Sequence, residues 1–247
     1  MKSDKLGYTV LISTAIAAVI GIFLFVDPIL QSEEYHNFSD ARTYFSIPNF
    51  WNVISNIPFL IVGVFGLIHW KYIKGANGMH IVMFAGIVIM SGGSAYYHWA
   101  PDNDTLVWDR LPMTIVFMSL FSIVITEFIS PRAGKLLFIP LILIGLLSIA
   151  YWVYSSSGDL RPYVLVQFYP MIAIPIIIIF FKSGYTLESA YWMLLILYVI
   201  AKIFEYFDAE IYHLLVQMSG HSLKHIAAAI GLYLLLNSYR KREIVKN

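Results

Sequence analysis

Two histidines stand four residues apart in "SGHSLKHIAAAIGLYLLL", residues 219–236: His221 and His225, with Lys224 between them. On a helix this spacing puts both imidazoles on one face, one turn apart, as two ligands of a single metal ion require. It equally suits a pair of core histidines hydrogen-bonded to neighbouring helices, and the pair alone does not decide. A third histidine bears on the choice. His98 lies in "SGGSAYYHWAPDNDTLVWDR", four residues after Ser94 and eleven before Asp109. The chain has no cysteine, so a transition-metal site must use histidine and carboxylate.

Three neutral imidazoles on a tetrahedral zinc leave one position open, which is how catalytic zinc is held. Water in that position is acidified towards a pKa of about 7, and the ion polarises a carbonyl, so hydrolysis of an amide or ester comes within reach. Asp109 could then orient a histidine, or accept and return the proton. Ser94 could hydrogen-bond the developing oxyanion. Each also has a plainer reading: Ser94 as a helix-packing serine, and Asp109 as a helix-start carboxylate or the ion-pair partner of Arg110. Two further readings of the cluster stay open. One is an intramembrane serine hydrolase with Ser94 as nucleophile and a histidine as its base. The other is a receptor or transporter that uses the polar residues as a ligand site or proton relay.

The elements that must position these residues are apolar. The 247 residues are 59% hydrophobic and 13% charged, outside the range of an ordinary soluble domain, and they imply a polytopic membrane protein. A net charge of +1 without a dense basic surface excludes nucleic acid as a partner. Lipid is the partner the composition points to. Charges, Pro and Gly divide the chain into eight runs long enough to span a bilayer, near 7–28, 50–70, 79–98, 106–128, 134–154, 162–181, 187–206 and 210–236. The expected fold is therefore all-α, a transmembrane helical bundle forming one integral membrane domain over 1–247.

Loop charges orient it. With the N-terminus inside, inner segments hold eleven Lys and Arg, Lys246 among them, while outer loops hold only Arg42 and Arg161. Both termini are then cytoplasmic, and the His98, His221 and His225 ends face outward. The first run could also be read as a signal peptide, since Lys2 and Lys5 precede it, but no clear small-x-small cleavage site follows.

An ionisable group at bilayer depth costs a few kcal/mol, so the remaining ones need a reading too. His69 and His80 flank the short inner loop and read as interfacial. Glu127 reads as solvated near the inner surface. His36 and His213 could contact the site from outside or meet a headgroup. Lys202 and Glu205 are spaced for a local ion pair. Lys224 is expected to pair with Asp109 or Glu210, or to meet a lipid headgroup. Gly92 and Gly93 are expected to let helices approach closely before His98. Trp51, Trp70, Trp99 and Trp108 fall at span ends as an interfacial belt and suggest no cofactor.

Taken together, Ser94-x-x-x-His98, Asp109 and His221-x-x-x-His225 in the last span resemble the CREST superfamily of membrane hydrolases, which includes the alkaline ceramidases and the adiponectin receptor relatives. "FWNVISNIPFLIVG", residues 50–63, is similar to the "FWNTxSN" opening of the first helix in alkaline ceramidases. The resemblance covers about residues 49–236 and leaves the run at 7–28 as an addition ahead of a seven-helix core. It implies that His98, His221 and His225 bind zinc, that Ser94 and Asp109 are catalytic, and that the reaction is hydrolysis of the amide of a ceramide-like lipid. Alkaline ceramidases also carry an acidic calcium-binding segment ending in a glutamate just before "FWN". Here Asn49 takes that last place and "YHNFSDARTYFSIP" is poor in carboxylates, so a full calcium site is not expected; Asp40 and Asn49 are what remains of it.

Overall fold

In the computed structural model, which describes residues 2–245, Lys246 lies outside the described residues. The described residues form ten α-helices: α1 (Lys2–Phe25), α2 (Phe50–Ile54), α3 (Ile57–His69), α4 (Gly78–Trp99), α5 (Asn103–Val124), α6 (Pro131–Tyr154), α7 (Arg161–Phe180), α8 (Ser189–Tyr206), α9 (Asp208–Leu215) and α10 (Gly220–Lys241). No strand occurs among the described residues beyond two isolated bridges. The all-α expectation holds for a physical reason: in a bilayer a lone segment must satisfy its own backbone polar groups.

Helix starts are set by polar side chains in the loops. Asp102 caps α5, taking a 2.6 Å hydrogen bond from the Thr105 amide while the Thr105 hydroxyl accepts one from the Asp102 amide. Asn77 caps α4 by accepting from the Met79 amide. Pro131 opens α6, where its missing N–H costs nothing.

Among the described residues, seven helical segments are long and apolar enough to cross a membrane: α1, α2 and α3 as one unit, and α4 to α8. They are lined outside by large exposed apolar side chains such as Ile61 and Phe65 on α3 and Ile139 and Leu143 on α6. A lipid-facing surface needs that distribution, and water would oppose it. The eighth run differs from its expected form. The single helix anticipated over 210–236 breaks at residues 216–219, where Val216 adopts a positive φ of 61°. Short α9 precedes the break, and α10 begins only at Gly220. At 22 residues α10 is as long as α4 and α5, but its histidines, serines and lysines make it less apolar than they are.

The core lies among α3, α4, α5, α7, α8 and α10 and includes Phe84, Ile87, Ile123, Ile174 and Leu235. Helix α1 stands outside it against α7. There Tyr169 donates a 3.0 Å hydrogen bond to the Leu11 carbonyl, and the Tyr8 ring meets Phe181 edge-on.

One end of the bundle is tied by polar groups that the sequence reading took for solvated ones. Glu127, in the π-helical turn that ends α5, is buried, and so is His80 at the start of α4. The Glu127 carboxylate accepts 2.6 Å and 2.7 Å hydrogen bonds from Arg242 Nη1 and the Tyr191 hydroxyl. Tyr191 also meets the Tyr239 hydroxyl at 3.0 Å, and Arg242 Nη2 donates to the Lys74 carbonyl. The carboxylate at the end of a span thus turns inward, to an arginine supplied from beyond the end of α10.

Candidate metal centre

The other end of the bundle gathers the C-terminal ends of α4 and α8 and the N-terminal ends of α2, α5, α7 and α10. His98 comes from the last turn of α4, and His221 and His225 from the first two turns of α10. All three are buried. Each offers a ring nitrogen, and the three nitrogens lie within 4.8 Å of one another. His98 Nε2 and His221 Nε2 are 3.4 Å apart. Two imidazole ligands on a tetrahedral ion at about 2.0–2.1 Å each are separated by about 3.3 Å, so this pair already has the required spacing. An all-nitrogen, cysteine-free set of this kind suits zinc among the common divalent ions. It is the one group of three or more His, Asp or Glu residues with such geometry among the described residues.

Neighbouring segments hold the rings in place. The Ser55 hydroxyl, at the end of α2, lies 2.8 Å from His225 Nδ1, which leaves Nε2 as the nitrogen available to a metal. Nothing in the sequence marks Ser55 for this role, although it falls inside "FWNVISN". Asn52 of the same short helix accepts a 2.7 Å hydrogen bond from Ser222, pinning α2 to α10. Asp208 Oδ1 accepts a 2.6 Å bond from the His221 amide, so a carboxylate from α9 serves as the N-terminal cap of α10. The Phe38 ring, from the loop after α1, meets both His98 and His221 edge-on at 4.8 Å and covers the triad. His36 bonds Tyr97 and Asn103, and exposed His213 stays on α9, so neither joins the triad.

Ser94 is buried on α4, and its side chain lies against the Asp109 carboxylate at the start of α5. Close helix approach makes that contact possible. A Cβ on Gly93 would collide with the Trp108 carbonyl, whereas Gly92 faces open space, so only one of the two glycines permits the approach. Asp109 does not pair with Arg110 at contact distance. Both face a cavity of about 260 Å³ whose wall also includes Ser94, His225, Lys224 and Glu205.

Lys224 has neither of its expected carboxylate partners. Its ammonium donates 2.6 Å to Glu205 Oε1, while Lys202 Nζ takes Glu205 Oε2 at 2.5 Å. The expected Lys202–Glu205 pair is present, and it extends to α10.

Asp40 and Asn49 both have hydrogen-bond partners within the chain. Asp40 is buried and receives Arg42 through Nε and Nη2, both at 2.8 Å, and Arg42 Nη2 also reaches the Gln217 carbonyl. Asn49 donates from Nδ2 to the His98 carbonyl. A guanidinium on the chain itself therefore neutralises the Asp40 carboxylate, and Asn49 supports the helix end that carries His98.

No curated protein and no solved structure matches the chain. A family model described as Ceramidase matches residues 40–241, a stretch that contains every residue of the triad, Ser94, Asp109 and the cavity wall from α2 to α10. The chain belongs to the Ceramidase family.

Proposed function

We propose that the protein is a zinc-dependent intramembrane amidohydrolase that cleaves the amide bond of a ceramide-like lipid. The observation that carries this reading is the convergence of three imidazoles from two helices beside a cavity that also presents Asp109 and Ser94. Zinc held by His98, His221 and His225 would supply a Lewis acid and a water acidified enough to attack an amide near neutral pH.

The chain's own groups do the rest. The Asp109 carboxylate takes a proton as water adds to the carbonyl carbon, then returns it to the amine nitrogen as the C–N bond breaks. Ser94, released from Asp109 once that carboxylate is protonated, donates its hydroxyl hydrogen to the carbonyl oxygen as negative charge builds there. Ser55 fixes the His225 ring through Nδ1. Phe38 keeps bulk water off the triad. The serine-hydrolase alternative gains no support, because Ser94 faces Asp109 and has no histidine hydrogen-bond partner among the described residues. The excess of Lys and Arg in alternate loops favours cytoplasmic termini and a site opening towards the outer leaflet.

Metal analysis with turnover tests the reading. His221→Ala and His225→Ala should each lose most bound zinc. Asp109→Asn should keep its zinc and lose about 10²–10⁴-fold in kcat. Equal zinc retention in all three variants removes the metal assignment.

A further inference from the structure

The wall of the cavity carries more positive charge than it can use internally. Arg110, Lys202 and Lys224 face it, against the carboxylates of Asp109 and Glu205. Glu205 is fully committed, one oxygen to each lysine. Asp109 lies against Ser94. Arg110 feels that carboxylate through space but makes no hydrogen bond to it.

Arg110 is 7% exposed, and its Nη1 is buried without a hydrogen-bond partner. It forms no contact ion pair among the described residues. Its guanidinium sits instead among three aromatic rings, Trp152, Tyr163 and Tyr35, at 4.9, 5.2 and 5.4 Å from their centroids. Cation–π contacts offset part of the cost of burying the charge, but they give the buried Nη1 no acceptor. A buried cation in this state is poised for an anion. The rings fix the fork in place, so an incoming acidic group meets donors that are already ordered.

We propose that this cavity selects a lipid bearing an anionic group, a phosphate or comparable acid on its polar end, bound by Arg110 with the Lys202–Glu205–Lys224 cluster completing the positive wall. The inference rests on the amidohydrolase reading for the word substrate, but not for the binding site itself. One negative charge on the ligand cancels the excess on the wall. A neutral amide lipid leaves that excess in place.

The test is equilibrium binding of two lipids that differ only in this group, short-chain ceramide 1-phosphate and the matching neutral ceramide, to the purified full-length protein in neutral-detergent micelles. Wild type should bind the phosphorylated lipid about ten- to hundredfold more tightly, the range expected for hydrogen bonds to a charged group. Arg110→Gln should erase that preference, and Arg110→Lys should restore part of it. Equal affinities in wild type overturn the proposal. So does a preference that survives in an Arg110→Gln protein of normal melting temperature. If Arg110→Gln fails to fold, Lys202→Gln at the less buried side of the cluster replaces it; a preference it does not reduce overturns the proposal. Palmitate forms a separate arm. Competition by the free acid as strong as that by the phosphorylated lipid would assign the anion site to the released product and overturn the claim about substrate. Fatty-acid release is scored in the same zinc-loaded samples. Tight, Arg110-dependent binding without release supports the anion site and defeats the hydrolase reading, while release without preference does the reverse.

Discussion

At the scale of single residues, the triad depends on what each imidazole does with its second nitrogen. Ser55 is the residue that settles this for His225. Ser55→Ala should leave the fold intact and weaken zinc binding about 10- to 100-fold, the usual effect of losing a partner behind a ligand. Competition against a chelator of known affinity measures it, and an unchanged affinity would show that the hydroxyl does not orient the ring. His98, His221, His225, Ser94 and Asp109 were legible in the sequence because ionisable and polar groups are costly in apolar runs and therefore stand out there. Ser55 was not legible as a support. Its partner is 170 residues away, and a serine in a helix has many ordinary reasons to exist. Lys224 failed in the same manner: the sequence showed a cation within an apolar run but not that α8 would bring Glu205 to it. His80 and Glu127 were misread because position near a span end was taken to mean contact with water, whereas helix packing folds both inward.

At the scale of helices, the contact between α4 and α5 sets the distance between Ser94 and Asp109. The two adjacent glycines offer a controlled comparison. Gly93→Ala should push the helices apart against the Trp108 carbonyl, cost about 1–3 kcal/mol as overpacked positions do, and reduce turnover. Gly92→Ala meets nothing and should be neutral or slightly stabilising. Thermal unfolding in detergent together with initial rates would separate them, and equal behaviour would rule out close packing at Gly93 as the reason for the pair. The apolar runs predicted seven of the elements because length and hydrophobicity alone define them. The break before α10 left no comparable mark. Residues 215–219 read "LVQMS" at a place where glycine or proline would normally signal a turn, and the backbone reverses at Val216 despite its β-branched side chain.

For the whole molecule, the bundle is held by polar ties at both ends of an apolar interior, and the two ends make different demands. The buried Glu127–Arg242 pair belongs to the end away from the triad. Glu127→Leu should destabilise the protein by about 3–5 kcal/mol by stranding the arginine, and Glu127→Leu with Arg242→Met should recover much of that loss. Zinc content per folded molecule should stay at the wild-type level in both variants. A single variant as stable as wild type would mean the arginine finds another acceptor or water.

Helix α10 joins the two ends. It carries His221 and His225 in its opening turns, and Arg242 immediately follows its final residue, about 25 Å from His225 along the axis. The helix therefore works as a gauge rod. Adding or deleting a single residue in its middle would rotate one end against the other by about 100° and leave the imidazoles and the guanidinium unable to engage their partners together. Tolerance of change along this rod is confined to swaps that preserve its count, however apolar the lipid-facing positions may be.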